Sequence, residues 1–567
     1  MKISTMRSAR LLALLMPWII GAGAHSLAAT PHGACDALAK IALPNTKILS
    51  ATSIAAGQFA PAEKFPASAV PAFCRVSASL NPSADSDIQI EVWLPDEWNG
   101  KYLANGIGGW GGAMAYPGLL DALRRGYATS ATDTGHRGNM GAADFALGHP
   151  EKVKDFAWRA VHEMTVQSKA LINAYYGTRN GGSSNGGTAN GGTAIRRSYF
   201  SGCSNGGRQG LMEAQKFPAD FDGIIAGAPA ADWVGLTSGA LYTSLLNIPK
   251  GKPPIITPVQ AALIHKAVIA QCDAQDGLRD GELADPRLCG FNARSLVCRS
   301  GQPAGECLTQ EQADVADKFY QAVRDPKSGR LILPGSLPGS EPGWGMVPVP
   351  MPPAVSEYRF VVYGDSSWDP YTFDLSKGVA AARRTDIIDA LNPDLSAFAA
   401  HGKLIQFHGL ADPIMPTEAS INYFESVVAR RGSLAKTAGF YRLFLVPGMG
   451  HCMGGYDVDW VDALDQWVEN GKAPAQVIGH RLPPQAGPPN GPPPANGGPP
   501  PGAPPGPPAA AGAVPSTAVR PICAYPDMAR YNGAGAGAAD AAASFSCKSA
   551  PRGVREGDGP VVLKPIS

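Results

Sequence analysis

The segment SGCSNGG, Ser201 to Gly207, has the spacing Gly-x-Ser-x-Gly around Ser204. This spacing is typical of a nucleophilic serine on a tight turn between a strand and a helix, because small neighbours leave the hydroxyl exposed above a sheet. The flanks fit that context, since RRSYF precedes the motif and the helix-like RQGLMEAQKF follows it. A chain with 67 glycines also produces this pattern by chance, so the motif alone does not establish a nucleophile.

Two further groups that such a serine requires occur later in the chain, each at the end of an apolar stretch. Asp412 ends KLIQFHGLAD, and His451 ends YRLFLVPGMGH. The order serine, acid, histidine is that of an α/β-hydrolase, in which each group follows a strand. Because a hydroxyl is a weak nucleophile until its proton is removed, His451 would take that proton and Asp412 would orient the imidazole. We therefore predict that Ser204, Asp412 and His451 are catalytic.

Other interpretations of these residues stay open at the level of sequence. Asp412 would also suit a surface turn, and His451 would also suit a packed interior. Three rival acids follow the histidine and lie on or near a helical segment, namely Asp457, Asp459 and Asp462.

A serine nucleophile also needs hydrogen-bond donors for the oxyanion of its tetrahedral intermediate. One donor should be the backbone N–H of Asn205, the residue after the serine, at the start of a helix. The second should come from the glycine-rich loop NGIGGWGG. Gly109 is our first candidate for this donor, and Gly108 is the second. The alternative is that these glycines only form a turn.

A second motif, CDAQDGLRDGE, runs from Cys272 to Glu282 and combines acidic residues with glycines. Calcium prefers six to eight oxygen ligands, including backbone carbonyls. The loop offers the carboxylates of Asp273, Asp276 and Asp280 and the carbonyls of Leu278 and Glu282. It lacks the ligand spacing of an EF-hand, and a solvated acidic loop without metal is the alternative.

Composition limits the classes of partner. The chain has 567 residues, 44% of them hydrophobic, which suits one large domain with an insertion or two domains. Its net charge is +1, and only 17% of its residues are charged. Nothing in this balance favours nucleic acid or an anionic membrane surface, so we expect small, weakly charged partners.

The amino terminus predicts export. Lys2, Arg7 and Arg10 precede an apolar run and then small residues, which predicts a signal peptide over residues 1–29 with cleavage near Ala28 or Ala29. A membrane anchor is the alternative, but the run is short of the ~20 residues that a membrane span needs. We expect a secreted or periplasmic protein without membrane attachment. The ten cysteines, an even number, would then form disulfides.

Repeated strand, turn and helix patterns predict an α/β fold with a doubly wound sheet. Its first part would span residues 30–235 and its second part residues 396–567. Between them, residues 236–395 are rich in prolines, cysteines and aromatics and are predicted to form a large lid, with an independent second domain as the alternative. Flexible insertions are predicted at Arg179–Ala194 and within the Pro-rich run 483–508. Cys523 and Cys547 are expected to pair near the carboxyl terminus.

The motifs GCSNGGRQG, HGLADPIMP and GMGHCMGG, with the CDAQDGLRDG loop and the closing RPICAYPDMARYNG, closely resemble those of the tannase and feruloyl esterase family of secreted α/β-hydrolases. The resemblance covers nearly the whole mature chain. It implies that Ser204, Asp412 and His451 form the triad and that the five acidic-loop residues hold a structural Ca²⁺ in the lid. It also implies five disulfides: Cys35–Cys74, Cys203–Cys452, Cys272–Cys289, Cys298–Cys307 and Cys523–Cys547.

The resemblance further implies the activity, an exported serine esterase for carboxylic esters of aromatic acids such as feruloyl, caffeoyl or galloyl esters. Such substrates are small aromatic esters, either free or attached to plant polysaccharide or polyphenol. Hydrolysis of a terephthalate monoester is one alternative, and a secreted serine peptidase with the same triad is another. A calcium-stabilised binding module without catalysis is the third.

Contacts with the substrate are the least specified part of the resemblance. Four aromatic residues of the lid could form a platform for the acyl group or could simply pack together: Trp344, Tyr358, Tyr363 and Trp368. His408, four residues before Asp412, resembles a pocket residue of the family and is predicted to bind substrate. A buried structural histidine is the alternative for this position.

Overall fold

The largest structural element is a mixed β-sheet on which the remaining elements pack. The computed structural model describes residues 35–59, 70–177, 195–303, 305–345, 348–482, 518–533, 540–555 and 563–564. The predicted signal peptide 1–29, the segment Arg179–Ala194 and the Pro-rich run 483–508 lie outside these residues.

The strands in the described part of the chain are β1 Thr46–Ile54, β2 Phe73–Leu80, β3 Ile88–Pro95, β4 Lys101–Asn105, β5 Ala128–Thr132, β6 Arg197–Cys203, β7 Gly223–Gly227, β8 Val323–Arg324, β9 Leu331–Leu333, β10 Lys403–Gly409, β11 Tyr441–Val446, β12 Tyr456–Asp457, β13 Gln476–Arg481, β14 Val519–Cys523, β15 Asp527–Tyr531, β16 Phe545–Ser549, β17 Val554–Arg555 and β18 Leu563–Lys564.

Nine of these strands form the central sheet in the order β1-β2-β3-β5-β4-β6-β7-β10-β11. The strands from β5 to β11 in this order are parallel, whereas β1, β2 and β3 pair antiparallel and β3 joins β5 antiparallel. The predicted doubly wound sheet is therefore correct for the parallel part. The antiparallel edge follows from the connections, because β2 and β3 are joined by a short loop that cannot cross over the sheet.

The helices of the described residues are α1 Tyr116–Arg124, α2 Pro150–Lys154, α3 Ala160–Tyr176, α4 Asn205–Lys216, α5 Trp233–Asn247, α6 Pro258–Cys272, α7 Gln310–Tyr320, α8 Pro352–Ser356, α9 Leu375–Thr385, α10 Ser396–Ala399, α11 Thr417–Arg431, α12 Leu434–Ala438 and α13 Trp460–Asn470. Across the described ranges, none of them has both the length and the apolar character that a membrane crossing demands.

Helices cover both faces of the parallel strands. Both faces need cover because successive side chains of a strand point to opposite sides of the sheet and belong here to two apolar clusters. On β4, Tyr102 belongs to the cluster that contains Leu171 of α3, whereas Leu103 belongs to the cluster that contains Leu464 and Trp467 of α13. The sheet is therefore buried on both sides. Its carboxyl-terminal edge is where loops can carry functional groups.

A long insertion separates β7 from β10 and contributes no described strand to the central sheet. Part of it has an apolar cluster of its own, which includes Ile264, Phe291 and Trp344. The described residues from Cys35 onward nevertheless belong to one compact unit. The boundaries predicted for the lid, 236 and 395, stay predictions.

All ten cysteines are paired in five disulfides: Cys35–Cys74, Cys203–Cys452, Cys272–Cys289, Cys298–Cys307 and Cys523–Cys547. These are the pairs that the family resemblance implied. Four of them close loops of 9 to 39 residues, whereas Cys203–Cys452 joins positions 249 residues apart. This long bridge connects the carboxyl-terminal end of β6 to the turn after β11.

Candidate active site

Ser204 occupies a tight turn between β6, which ends at Cys203, and α4, which begins at Asn205. Its φ angle is +65°, a left-handed conformation that is unfavourable for a residue with a side chain. The turn is held on both sides, since the Ser204 N–H donates to the Gly227 carbonyl at 2.9 Å and the Ser204 carbonyl accepts from the Arg208 N–H at 3.0 Å. This is the strand, turn and helix context that the sequence motif predicts.

The glycines around Ser204 are needed because the backbone segments approach closely. A Cβ atom added to Gly202 would lie 2.6 Å from the Gly206 carbonyl carbon. One added to Gly207 would lie 2.3 Å from the Gly227 carbonyl oxygen. Such contacts are shorter than real Cβ atoms show, so any larger residue would displace α4 from the sheet.

Asp412 and His451 are hydrogen-bonded to each other. The Asp412 Oδ2 atom lies 2.8 Å from His451 Nδ1, and Asp412 Oδ1 accepts from the backbone N–H groups of Ile414 and Met415 at 2.8 and 2.9 Å. The Asp412 side chain is fully buried, whereas His451 retains 14% exposure. Because Nδ1 faces the carboxylate, Nε2 is the imidazole atom placed to exchange a proton.

The charges of this pair change both pKa values. Burial by itself would raise the pKa of Asp412, but the charge and hydrogen bond of His451, with a contribution from His408, lower it well below its ordinary value. Burial opposes protonation of His451, yet the Asp412 charge and hydrogen bond raise the pKa of His451 overall. The pair therefore favours an ionised carboxylate that can stabilise an imidazolium.

The rival acids lie at exposed positions. Asp459 caps α13 by accepting from the Asp462 N–H at 2.9 Å, and it forms an ion pair with Arg125 at 2.7 Å. Among Asp457, Asp459 and Asp462, no described hydrogen bond reaches the His451 ring. Asp412 is the carboxylate that contacts it.

The disulfide Cys203–Cys452 connects the neighbours of Ser204 and His451. Its Cα atoms are 6.1 Å apart. Cys452, like Ser204, has a left-handed backbone conformation, with φ at +64°. The bridge therefore joins two constrained turns that carry the predicted nucleophile and the predicted base.

The predicted oxyanion donors lie on either side of the Ser204 turn. Asn205 is the first residue of α4, so its N–H has no acceptor within the helix. On the opposite loop, a Cβ atom added to Gly108 would lie 3.9 Å from Ser204 Cβ, whereas one added to Gly109 would lie 2.3 Å from the Met140 carbonyl oxygen. Both glycines thus belong to the loop beside the serine, and Gly108 faces its side chain.

Two residues of α4 that sequence reasoning did not single out hold these segments in place. Arg208 is fully buried and donates to Asn205 Oδ1 at 2.7 Å and to the carbonyls of Ala157 and Ile388. Gln209 accepts from the Ile107 N–H at 3.1 Å, next to Gly108. Their only signal in the sequence is their position as a polar pair at the start of the helix-like segment RQGLMEAQKF.

His408 occupies a different place from the one predicted for a substrate-binding residue. It is fully buried; Nδ1 lies 2.7 Å from Ser420 Oγ, and Nε2 lies 3.1 Å from the Met415 carbonyl and 3.2 Å from Asp412 Oδ2. Because a carbonyl and a carboxylate only accept, Nε2 carries a proton and donates to them. The structure therefore favours the structural alternative, in which His408 supports Asp412.

The four aromatic residues proposed for a platform do not form one group. Trp344 is buried against Phe319. Tyr358 is buried and hydrogen-bonded to Ser238 at 2.7 Å, and it packs with Tyr363 and Trp368. Most of these rings have packing partners, and Tyr363 is the most exposed of the four.

Two cavities lie near these residues, and neither is lined by Ser204, Asp412 or His451. A cavity of about 130 Å³ lies between the insertion and the segment after Asp412, lined among others by Trp344, Met351 and Ile414. A larger one, of about 520 Å³, is lined by Gly108, Cys203 and the stacked rings of Phe407 and Trp460. Only the larger of these two lies within the usual size range of ligand pockets.

The acidic loop Cys272–Glu282 packs against the segment that carries His451. The Glu282 carboxylate accepts from the Tyr456 hydroxyl at 3.2 Å and lies beside Gly448. Its neighbour Asp280 forms an ion pair with Arg520. Burial raises the pKa of Glu282 to about 7.

The donors of this loop suit calcium chemically, because they are all oxygen atoms. Asp273 Oδ1 instead accepts backbone N–H groups, including that of Glu282 at 3.2 Å, and Asp276 Oδ1 accepts that of Leu278 at 3.0 Å. Within the described ranges, these carboxylates do not form a trio of ligand atoms lying within 4.8 Å of one another. Arg520 pairs with Asp280 Oδ2, so a calcium ion would compete with Arg520 for this carboxylate.

Comparison with known proteins identifies relatives over most of the chain. The family model described as tannase and feruloyl esterase matches residues 74–344 and 355–548. An uncharacterized esterase of Xanthomonas campestris pv. campestris is 35% identical, with 96% of each chain covered. A probable feruloyl esterase B-1 of Aspergillus fumigatus is 32% identical, covering 82% of this chain and 93% of its own.

Solved structures agree with this relationship. Feruloyl esterase B from Aspergillus oryzae is 31% identical, with a TM-score of 0.76 and coverage of 91% of this chain and 99% of its own. Tannin acyl hydrolase from Aspergillus niger, 23% identical with a TM-score of 0.67, shares the fold over 91% of this chain and 95% of its own. The fold is α/β-hydrolase-like with a mixed central sheet. The chain belongs to the tannase and feruloyl esterase family and is a carboxylic ester hydrolase.

Proposed function

We propose that this protein hydrolyses feruloyl, caffeoyl or galloyl esters with Ser204 as nucleophile, His451 as general base and acid, and Asp412 as the carboxylate that orients His451. The observation that carries the proposal is the 2.8 Å contact between Asp412 and His451. It is supported by the disulfide that joins the neighbours of Ser204 and His451. Family membership supports esters of aromatic acids as the substrate class.

Acylation begins when the Ser204 Oγ attacks the ester carbonyl carbon while His451 Nε2 takes the hydroxyl proton. Asp412 keeps the Nδ1 proton of His451 in place and stabilises the imidazolium that forms. The tetrahedral intermediate then collapses, and His451 returns the proton to the leaving alcohol. A water molecule attacks the acyl-enzyme by the same route and releases the aromatic acid.

The oxyanion of both intermediates would accept hydrogen bonds from the backbone N–H of Asn205 and from that of Gly109, with Gly108 as the neighbouring candidate. Each such donor typically contributes about 3 kcal/mol to the stabilisation of the transition state. The buried side chains of Arg208 and Gln209 support these segments. Rigid support matters because the donors must be in position before charge develops.

We also propose that the protein is exported and acts on substrates that are free or attached to plant polysaccharide or polyphenol. Five disulfides support an oxidising compartment. In an attached substrate the same ester bond is hydrolysed, and the leaving alcohol is a hydroxyl group of the polysaccharide or polyphenol. A preference for one aromatic acid is then a property of the pocket rather than of the triad.

Replacing Ser204 with alanine should reduce kcat/KM for methyl ferulate and methyl gallate on the order of 10⁶-fold, the scale seen when a serine hydrolase loses its nucleophile. The matched control is Ser201→Ala on the same strand, which should keep activity. Initial rates on both esters and on a peptide anilide are the measurement. Undiminished ester hydrolysis by the Ser204 variant, or cleavage of the anilide alone, would refute the proposal.

The rate should fall with decreasing pH as His451 becomes protonated, because an imidazolium cannot accept the serine proton. Since Asp412 raises the pKa of His451, the acidic limb of kcat/KM should lie above pH 6.5. Asp412→Asn should move that limb to lower pH and reduce kcat by roughly 10⁴-fold. Asp459→Asn, at an exposed acid, should change neither, and equal effects of both substitutions would contradict the assignment of Asp412.

Replacing Cys203 and Cys452 together with alanine should lower both stability and turnover. Chain-entropy estimates give up to about 5 kcal/mol for this 249-residue separation and about 3 kcal/mol for the 9-residue pair Cys298–Cys307, which serves as control. Below its melting temperature, the first variant should still lose up to about 100-fold in kcat, because small misplacements at a reacting centre are expensive. Unchanged kcat would leave the bridge with a stabilising role alone.

We propose further that the insertion is a calcium-binding lid in which Asp273, Asp276 and Asp280 supply carboxylates and Leu278 and Glu282 supply carbonyls. The all-oxygen donor set and the family resemblance support this proposal. The ion would replace Arg520 as the partner of Asp280. When bound, the ion would supply positive charge that stabilises the acidic loop against the segment that carries His451.

Calcium added to chelator-treated protein should raise its melting temperature, with a stabilisation of about 2.7 kcal/mol at 100 times the dissociation constant. Asp276→Asn should abolish most of this response. Asp314→Asn, an exposed acid of the same insertion, should retain it. The measurement is the melting temperature by scanning calorimetry with and without Ca²⁺. An unchanged melting temperature of the wild-type protein on addition of Ca²⁺ would refute the calcium site.

A further inference from the structure

A second group of metal-ligand side chains lies outside the candidate active site and the acidic loop. His162 belongs to α3, Glu213 to α4 and Asp220 to the turn before β7. Each offers one ligand atom, and these atoms all lie within 4.8 Å of one another. The sequence gives no motif for this group, because its members come from separate elements.

Glu213 is the unusual member of the group. It is 1% exposed, and neither of its carboxylate oxygens has a hydrogen-bond partner in the described part of the chain. A buried carboxylate without partners is costly and rare in folded proteins. Its position beside His162 and Asp220 therefore calls for a bound cation or a proton.

The surrounding residues orient the other two members without satisfying Glu213. His162 Nδ1 lies 2.7 Å from Asp220 Oδ2, and its ring stacks on Phe217 with centroids 3.8 Å apart. Lys169, the nearby cation, donates to the backbone carbonyl of Asp220. Among the described contacts it forms no ion pair within 4.0 Å with a carboxylate of the group, although its positive charge opposes part of the rise in the pKa of Glu213.

We propose that His162, Glu213 and Asp220 form a binding site for a divalent transition-metal cation, best suited to Zn²⁺. One imidazole and two carboxylates are ligands that zinc accepts, and three protein ligands leave a fourth position for water. His162 and Asp220 keep side-chain exposures of 27% and 15%, which provides access from solvent. The imidazole separates this site from the all-oxygen calcium loop.

The cation would connect three elements at the end of α4 remote from Ser204. It would join α3 and α4 to the turn that leads into β7, and β7 supplies the Gly227 carbonyl that holds the Ser204 turn. We therefore infer that the bound cation would stabilise the fold around α4. Removal of the metal should lower the melting temperature more than it lowers kcat.

The competing occupant is a proton shared between Glu213 and Asp220. Burial raises the pKa of Glu213 well above its ordinary value, and the nearby Asp220 charge adds to the effect. A proton would neutralise the buried charge without any ligand role for His162. The two occupants therefore differ in whether His162 matters.

The test uses full-length protein treated with a chelator and returned to a buffer with excess Ca²⁺, which keeps the acidic loop supplied. Calorimetric titration with ZnCl₂ and visible absorption with Co²⁺ report binding, and melting temperature reports stability. Glu213→Gln preserves size, and His162→Ala changes a partly exposed position. The matched control is His149→Ala, because His149 pairs with Asp85 at 2.8 Å on the surface and no third ligand group joins this pair among the residues that the structure describes.

We expect one equivalent of Zn²⁺ bound by the wild type and a higher melting temperature with the metal. Glu213→Gln and His162→Ala should each weaken Zn²⁺ binding by more than about 100-fold, since loss of even an outer partner of a ligand typically costs 10–100-fold. His149→Ala should bind as the wild type does. Absence of binding, or wild-type isotherms for the folded His162→Ala variant, would overturn the site and leave a shared proton.

Discussion

The close contact between the first turn of α4 and the ends of its neighbouring strands is the constraint on which the site depends. Gly202 and Gly207 let the helix approach the sheet at distances that exclude a Cβ atom. At this contact Ser204 has a left-handed conformation, with its φ angle at +65°. The surrounding structure stabilises this strained turn through the hydrogen bond to Gly227 and the buried side chain of Arg208.

The other groups of the site reach this turn from distant parts of the chain. Asp412 is fixed by two backbone N–H groups on one oxygen and by His451 on the other. His408 lies behind it and donates from a fully buried ring. The Cys203–Cys452 bridge then connects the histidine turn to the serine turn, so a covalent bond supplements packing where the geometry must be most exact.

The local context of Ser204 and the positions of Asp412 and His451 after strands could be predicted from the sequence. The glycine pattern around Ser204 and the order of Asp412 and His451 follow from the chemistry of the turn and the strand ends. Other features depend on packing between segments far apart in the chain. These are the antiparallel edge of the sheet, the burial of His408, and which of Gly108 and Gly109 faces the Ser204 side chain. For the same reason His162, Glu213 and Asp220 could not be grouped before the fold was known. Cys523–Cys547 is expected from its position near the carboxyl terminus, whereas the other four disulfide pairs come from the family resemblance, because ten cysteines allow many pairings.

The most direct measurement of the central claim is the site of covalent labelling by a fluorophosphonate, which reacts with an activated serine. Peptide mass spectrometry of fully inactivated protein should place one label per chain on Ser204, and labelling should slow in Asp412→Asn because His451 is then a weaker base. Complete inactivation with the label on another residue would contradict the account. So would full esterase activity in protein whose Ser204 is quantitatively labelled.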